Sequence, residues 1–228
     1  MAVYVTAATP PNYIFLKFPN IQIMDQFVVV PATEDHIKYS DEIVQVIADS
    51  AKKRGTGIAK RSPEYITKKI TEGKAVIALS KSGELAGFCY IESWGHNRYV
   101  ANSGLIVSEQ FRNAGLAQRI KARAFKLSRK KFPDAKLFGL TTSLAVMKIN
   151  SNLGYRPVTF SELTDDEKFW QGCQSCVNFE ILKSKEYKNC LCTGMLYDPE
   201  EKKKQREKKR KQLAEKVTKW VKPSLKFY

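Results

Sequence analysis

The sequence has no apolar run long enough to cross a bilayer, which excludes an ordinary membrane-spanning helix. Its early uncharged stretches are interrupted by Pro10, Pro11, Lys17 and Pro19, which argues against a secretory signal. We therefore expect a cytoplasmic protein with no membrane partner.

Cysteine is also scarce, with 5 residues, and a chain without a secretion signal is not expected to build a disulfide framework. Four of the five have the spacing of metal ligands, and between them Val177–Leu182 is predicted to form a strand of a hairpin. Cysteine pairs at either end of a hairpin suit a tetrahedral, structural zinc ion. The alternative is a set of reduced, packed thiols. The four residues are Cys173, Cys176, Cys190 and Cys192.

Acidic residues are few, with 23 Asp and Glu against 39 Lys and Arg, for a net charge of +16. Part of the excess lies in residues 200–222, a helix-prone tail that we expect to be solubilising or to dock on the body or on a second subunit in a homodimer. The remaining excess suits a polyanionic ligand, such as a phosphorylated cofactor. Nucleic acid is the less favoured partner, because the tail has no base-reading or stacking motif.

The hydrophobic pattern predicts an α/β chain in the order β-α-α-β-β-β-α-β-α-β. Strands are predicted at Phe27–Val30, Ala75–Ser80, Leu85–Ser93, Tyr99–Val107 and Lys136–Thr141, and Pro157–Phe160 is predicted to be extended. We divide the chain into a loosely ordered leader, a folded α/β domain, a cysteine-containing extension of that domain and a basic helical tail. Their ranges are 1–24, 25–160, 161–198 and 199–228.

The segment after the fourth predicted strand is the most informative in the chain. It places Arg112 and Gly115 in a loop that leads directly into a long helical pattern. The first N–H groups of a helix have no partner within the helix, and glycine lets the backbone approach a ligand closely. The pattern therefore predicts a site for a phosphate chain.

This order of elements, with Arg112-x-x-Gly115-x-Ala117 opening the helix, resembles the GNAT superfamily of acyl-CoA-dependent N-acyltransferases. The resemblance runs from about Phe27 to Phe160 and includes the late Leu153-Gly154-Tyr155. It implies a mixed, mostly antiparallel sheet that is splayed between its fourth and fifth strands, with helices on both sides. The implied donor is acetyl-CoA or another acyl-CoA.

The same resemblance implies which residues bind the cofactor. The backbone of a bulged fourth strand pairs with the pantetheine arm, and the N–H groups of the following loop hold the pyrophosphate, with the Arg112 side chain as counter-ion. The residues so implied are Leu105, Ile106, Val107, Arg112, Asn113, Ala114, Gly115, Leu116 and Ala117.

The chain departs from the family pattern at one catalytic position. Many relatives have a tyrosine there, which protonates the departing thiolate, whereas this chain has Asn150. An asparagine side chain can hydrogen-bond the sulfur or a pantetheine amide but cannot supply a proton. The general acid therefore stays unassigned.

Amide formation also needs a base, because the acceptor amine is largely protonated at neutral pH. Glu92, at the end of the third strand, and His96, in the turn that follows, are the candidates. A solvated strand-end carboxylate and an exposed turn histidine are the alternatives.

A narrower resemblance, to a bacterial GNAT group associated with arginine biosynthesis, implies glutamate as the acceptor. It rests on the run Arg54 to Arg61, the cysteine-bearing end and Leu140-Thr141-Thr142. Arginine side chains bind carboxylates through two hydrogen bonds, which suits an acidic acceptor. The candidate acceptor-binding residues are Arg54, Lys60, Arg61, Thr141 and Thr142.

The sequence thus favours transfer of an acetyl or succinyl group to the amino group of glutamate, by direct attack in a ternary complex. Two alternatives stay open. One is acylation of a protein or peptide amine, and the other is a non-catalytic module that binds nucleic acid through its zinc site and basic tail.

Overall fold

A computed structural model describes residues 26–54, 61–174 and 176–221. The strands are β1 (Phe27–Pro31), β2 (Ala75–Ser80), β3 (Leu85–Trp94), β4 (Tyr99–Val107), β5 (Lys136–Thr141), β6 (Arg156–Val158) and β7 (Thr193–Tyr197). The α-helices are α1 (Ser40–Arg54), α2 (Pro63–Thr71), α3 (Leu116–Lys131), α4 (Leu144–Asn152), α5 (Glu167–Gln171), α6 (Phe179–Ser184) and α7 (Pro199–Val221). The predicted leader lies outside the described residues.

Local sequence signals determine where the helices near the site begin. Helix α2 starts at Pro63, whose fixed φ suits a first helical position, and the Ser62 Oγ accepts the N–H of Tyr65 at 3.3 Å. Helix α4 starts in the same way, because the Ser143 Oγ accepts the N–H of Val146 at 3.4 Å. These caps position α2 and α4 beside the sheet.

The seven strands form one sheet in the order β1-β2-β3-β4-β5-β7-β6. All neighbours are antiparallel except β4 and β5, which run parallel. The mixed, mostly antiparallel sheet with flanking helices is the predicted GNAT architecture, which is confirmed.

Alternation along β3 divides the core between the two faces of the sheet. Phe88 and Tyr90 point into a cluster with residues of α1 and α2, whereas Cys89 points into a cluster with α3. Both sets are almost fully buried, and each large apolar side chain so buried contributes about 1.5–3 kcal/mol. Glu92 follows the same alternation as Tyr90, so it belongs to the α1–α2 face.

Two parts of the C-terminal third differ from the prediction. Residues Val177–Leu182 do not form a strand, because α6 occupies most of that segment. In addition, β7 enters the sheet between β5 and β6, although it was assigned only to an extension. Among the described helices, none is both long and apolar enough to cross a membrane.

Candidate functional site

Strands β4 and β5 separate after a short paired region. They pair at Tyr99–Lys136, Val100–Leu137 and Ala101–Phe138 and no further. From Asn102 onward, β4 is paired only with β3, on its other side. The N–H and C=O groups that β4 directs toward β5 are therefore available to an extended ligand.

A bulge in β4 widens this opening. Phe88 of β3 faces Ile106, whereas Tyr90 faces Ser103, so β4 has an extra residue between these pairs. Gly104 lies in the bulge with φ +60°, and a Cβ there would meet the Tyr90 ring at 2.3 Å. Only glycine satisfies both conditions.

The backbone groups of Leu105, Ile106 and Val107 lie along this open part of β4. The Ile106 side chain is buried on the α1–α2 face, and Leu105 and Val107 pack toward α3. The side chains thus hold the strand in place while its main chain faces the cleft. Their contact with a pantetheine arm stays a prediction.

The predicted phosphate loop joins β4 to α3. Ser108 fastens it to β3, because its Oγ donates to the Leu85 carbonyl at 2.7 Å and its N–H donates to the Ala86 carbonyl at 3.1 Å. Asn113 and Gly115 have positive φ angles of 64° and 71°. This backbone turns the chain sharply into α3.

Gly115 is the N-cap of α3 and supplies no side-chain cap, and the first turn of the helix has no acidic residue. Its N–H groups are therefore open to an anion, which the helix dipole also favours. Leu116 is buried and anchors the turn, while Arg112 and Asn113 are exposed beside it. The residues predicted to hold a diphosphate lie together in this loop and the first turn of α3: Arg112, Asn113, Ala114, Gly115, Leu116 and Ala117.

The Arg112 side chain reaches from the loop to α1. Its Nε donates to the Val107 carbonyl and its Nη2 donates to the Ser50 Oγ, both at 3.4 Å. Lys53 at the end of α1 also forms an ion pair with Glu109. These contacts hold the loop against α1.

Asn150 lies in the last turn of α4 and is 2% exposed. Its main-chain carbonyl accepts the N–H groups of Leu153 and Tyr155. Within the described part of the chain, however, its buried side-chain Oδ1 has no hydrogen-bond partner. A buried acceptor without a partner costs about 1–3 kcal/mol. This atom is therefore suited to receive a ligand N–H or thiol.

Glu92 lies where β4 and β5 begin to separate. It faces Ala101 of β4, which belongs to the last β4–β5 pair. Its side chain is 15% exposed, and the Lys69 Nζ donates to its Oε2 at 2.9 Å. Burial raises the pKa of the Glu92 carboxyl to about 7, while the nearby Arg61 opposes the rise. Burial also lowers the pKa of Lys69.

Two aromatic rings hold the cations beside Glu92. Arg61 donates from Nε to the Tyr90 hydroxyl at 2.9 Å, and its guanidinium lies over the Tyr65 ring at 4.9 Å. The Lys69 Nζ also lies over the Tyr65 ring, 5.0 Å from the ring centre. The group of Arg61, Lys69 and Glu92 thus has two cations around one carboxylate, and this excess of positive charge favours an acidic ligand.

Sequence reasoning missed Lys69, Tyr65 and Tyr90. Tyr65 and Lys69 are four residues apart on α2, and Tyr90 and Glu92 are two apart on β3, so each pair shares one face. The amphipathic pattern of α2 was the available signal. It could not reveal that α2 packs on this part of β3.

His96 is not brought to Glu92. It lies in the exposed turn beyond the last β3–β4 pair, Trp94–Tyr99, with φ 57°. There it lines a separate cleft of about 720 Å³ with the end of α3 and the start of α7. The expectation that His96 lies near the catalytic cleft is wrong, because β3 continues two residues past Glu92 before it turns.

The other predicted acceptor residues are placed unevenly. Lys60 and the side chain of Arg54 lie outside the described residues. The Thr141 Oγ1 accepts the N–H of Ser143 at 3.0 Å, so this hydroxyl stabilises the turn into α4. Thr142 is exposed next to it. Among the described residues that were predicted to bind the acceptor, Arg61 is the one that lies near Glu92.

The four clustered cysteines are half-buried free thiols, three of which pack against an aromatic cluster. Burial, with a smaller contribution from neighbouring thiols, raises the pKa of Cys173 to about 11 and that of Cys192 to about 12. In residues 26–54, 61–174 and 176–221, no group of three or more His, Cys, Asp or Glu side chains is placed to hold a metal. The predicted zinc site at Cys173, Cys176, Cys190 and Cys192 is therefore not supported. Helix α6 lies between the two pairs in sequence, where a hairpin was expected, although thiols of both pairs are close enough to raise one another's pKa.

Solved structures share this fold. The GNAT acetyltransferase of Staphylococcus aureus gives a TM-score of 0.54 at 11% identity, over 76% of this chain and 99% of that one. A Mycobacterium tuberculosis protein in complex with CoA gives 0.53 at 15% identity, over 75% and 98%.

N-acetylglutamate synthase from Neisseria gonorrhoeae, complexed with coenzyme A and N-acetyl-glutamate, gives a TM-score of 0.52 at 17% identity. The similarity covers 75% of this chain but only 35% of that enzyme. No protein-family model and no curated protein matches the sequence. At these identities, the comparisons show that the chain has the GNAT fold.

Proposed function

We propose that the protein is an acyl-CoA-dependent N-acyltransferase that transfers an acetyl or succinyl group to the amino group of a small acidic amino acid, with glutamate as the favoured acceptor. The observation that carries the proposal is the convergence of two half-sites. The open edge of β4 runs from the predicted anion-binding loop at its C-terminal end to the buried Glu92 carboxylate at the point where β4 and β5 separate.

The residues on the α3 side fit an acyl-CoA. The N–H groups from Arg112 to Ala117 suit the diphosphate, and the open edge of β4 suits the amide-containing arm. The unpartnered Oδ1 of Asn150 accepts a hydrogen bond from that arm or from the thiol. Structural neighbours solved with CoA or acetyl-CoA support this assignment.

The residues on the α1–α2 side suit the acceptor. Arg61 binds the acceptor carboxylate in this proposal, because its guanidinium is fixed by Tyr90 and Tyr65 and lies close to Glu92. Since Lys69 is paired with Glu92, Arg61 is the cation that binds the side-chain carboxylate of an acidic acceptor in this proposal. The N-acetyl-glutamate complex of the Neisseria enzyme supports this choice of acceptor class.

Glu92 acts as the general base. With a pKa of about 7, a substantial fraction of the carboxyl is ionised at neutral pH and the group is still basic enough to take a proton. Lys69 holds the carboxylate in place at 2.9 Å. In this proposal, Glu92, at the apex of the splay, lies between the acceptor and the acyl carbon.

Acyl-CoA supplies an activated thioester in this scheme. The acceptor nitrogen bonds to the acyl carbon, and its proton goes to Glu92. The carbon–sulfur bond breaks with its electron pair on sulfur, and the thiolate is protonated from water. In this scheme, main-chain N–H groups on the open edge of β4 beside Glu92 donate to the acyl oxygen, an interaction worth about 3 kcal/mol in other acyl transfers.

The test is release of free thiol from acetyl-CoA and succinyl-CoA, measured with glutamate, aspartate, glutamine and short peptides. Glutamate should react fastest, and glutamine should react poorly because it lacks the second carboxylate. Preferential reaction of peptides would instead identify a protein or peptide acyltransferase. Absence of any CoA binding would reject enzymatic activity altogether. The link to arginine biosynthesis rests on the glutamate result.

A further inference from the structure

Helix α7 is fixed firmly to the body at its start. The Asp198 Oδ1 accepts the N–H groups of Glu200 at 2.9 Å and Glu201 at 3.3 Å, which caps the helix. The Arg156 Nη2 also binds the Glu201 Oε1 at 2.9 Å. The direction in which α7 leaves the sheet is therefore set by β7.

Beyond this root, the described side chains of α7 do not pack against the rest of the protein. Every residue from Lys203 to Thr218 is exposed. This segment contains eight Lys or Arg residues and two Glu. At 1.5 Å per residue it is about 24 Å long. A helix this exposed is not stabilised by an apolar face, and its charge is available to a partner.

The positive charge surrounds the helix. With about 100° of rotation per residue, the basic residues in the first two exposed turns leave no sector wider than about 100° uncovered. Those residues are Lys203, Lys204, Arg206, Lys208 and Lys209. Exposed large apolar residues in this segment are confined to Leu213 and Val217, near its end. A partner that complements α7 must therefore present negative charge on several sides.

We propose that α7 is a nucleic-acid-binding arm that inserts into the major groove of duplex DNA and contacts the phosphates on both sides. The groove of B-form DNA is about 12 Å wide and admits an α-helix. The phosphates of the two strands flank an inserted helix, which matches charge on opposite faces. Binding of this kind depends on backbone charge and needs no base-reading motif.

Other occupants fit α7 less well. A membrane surface is flat, so it engages one face of a helix and favours an amphipathic pattern, which α7 lacks. A second copy of α7 would bring like charges together. A-form RNA has a deep, narrow major groove that does not admit a helix of this kind.

The root of α7 adds no net positive charge. Arg98, Lys131 and Lys136 line the cleft of about 720 Å³ from which the helix emerges, but Asp134, Asp198 and Glu200 line it too, and the Lys136 Nζ pairs with the Asp198 Oδ2 at 3.3 Å. The charge offered to a duplex is therefore that of α7 itself. The predicted diphosphate loop lies at the other end of β4, whereas Glu92 faces Ala101, two residues from Tyr99 of this cleft. The proposed acyl-transfer residues and the basic residues of α7 are nevertheless different side chains, so each set can be substituted separately.

The experiment measures binding of the full chain to fluorescently labelled duplex DNA by anisotropy across a salt series. Two triple variants remove charge from two different sides of α7, centred about 130° apart around the helix axis. One carries Lys204→Gln, Lys208→Gln and Lys211→Gln, and the other carries Lys203→Gln, Arg206→Gln and Arg210→Gln. Glutamine has a helix propensity similar to that of lysine, so α7 is retained.

A third triple variant is the matched control for net charge. It carries Lys81→Gln, Lys148→Gln and Lys183→Gln, three exposed positions elsewhere on the body. We expect each α7 triple to weaken duplex binding by about tenfold or more and to lower the salt dependence, because phosphate contacts are lost. The control should change affinity by less than about twofold, within the scatter of surface effects.

Several results would overturn the proposal. A control triple as damaging as the α7 triples would indicate non-specific net charge. Sensitivity to only one α7 triple, together with binding to phosphatidylserine vesicles, would indicate a membrane surface. RNA duplex binding as tight as DNA duplex binding, or no binding by the wild-type chain, would also contradict groove insertion. Thiol release measured in parallel should be unchanged in both α7 variants.

Discussion

The two halves of the candidate site are built in different ways. The half that faces α3 uses main-chain groups from one continuous stretch, Leu105 to Ala117, and its geometry depends on a bulge and two positive φ angles. The half that faces α2 uses side chains from separate elements: Arg61, Lys69 and Glu92. A substitution in the first half should therefore act through backbone shape, and one in the second through charge.

The largest effect is expected for Glu92→Gln, which keeps the shape of the side chain but removes the base. We expect kcat to fall by about 10²–10⁴-fold with little change in CoA affinity. Steady-state thiol release and calorimetric titration with CoA measure the two quantities. An equal loss of CoA binding would place Glu92 in the cofactor half instead.

The pH dependence sharpens this result. The pKa of Glu92 is raised to about 7, so the active carboxylate is lost as pH falls through that value. The wild-type kcat/KM should drop about tenfold per pH unit below the pKa and level off above it, provided that the acceptor amine is not limiting. The residual kcat/KM of Glu92→Gln should not fall in this way at low pH. A wild-type profile that is flat between pH 5 and 8 would contradict the assignment.

A backbone substitution tests the other half. Gly104→Ala combines a positive φ with a Cβ 2.3 Å from the Tyr90 ring, and we expect a loss of about 2–4 kcal/mol in the free energy of unfolding. Gly83→Ala is the control, since its φ is +84° but nothing lies within 4 Å of the added Cβ. It should cost about 1–2 kcal/mol. Similar urea midpoints for the two variants would show that the bulge does not need glycine for space.

Arg61→Ala should raise the KM for glutamate by about 10–100-fold, because a charge-assisted hydrogen bond contributes about 1.5–3 kcal/mol. Arg61→Lys keeps the charge but loses the fixed planar geometry, so its KM should lie between the values of the wild type and Arg61→Ala. An unchanged KM, with peptides reacting normally, would remove Arg61 from acceptor recognition.

The smallest effect is expected for Arg112→Ala. This side chain is exposed, so its attraction to a diphosphate is worth up to about 1 kcal/mol, or about fivefold in the Kd for CoA, and should weaken with salt. Arg98→Ala removes an exposed arginine at the opposite end of β4 and serves as the control. Equal effects of both variants would mean that Arg112 acts only through net charge.

The same contrast explains what the sequence could predict. The loop from Arg112 to Ala117 was predictable because a strand, a glycine turn and a helix start are local features. The arrangement of Lys69 and Tyr90 around Glu92 was not, because it depends on how α2 packs against β3. Glu92 was proposed from its position at a strand end, and its role stays a prediction. The same reasoning placed His96 near it because the length of β3 was not known.

The C-terminal errors have a related cause. The apolar pattern of Val177–Leu182 is too short to distinguish a strand from a helix, and the cysteine spacing favoured the hairpin. In the structure, Phe179 to Ser184 is helical, and Thr193–Tyr197 joins the sheet at a position decided by tertiary packing. The binding of acyl-CoA by the α3 half, the acceptor residues including Arg61 and the role of Glu92 as a base all stay predictions.

A crystal structure of the protein grown with CoA tests the central claim most directly. We predict a diphosphate at the N–H groups of Arg112 to Ala117 and an extended arm hydrogen-bonded to β4 from Val107 toward Asn102, with the sulfur near Glu92 and Asn150. Density for CoA in the cleft at the root of α7, or a closed contact between β4 and β5 that leaves no room for the arm, would contradict the account.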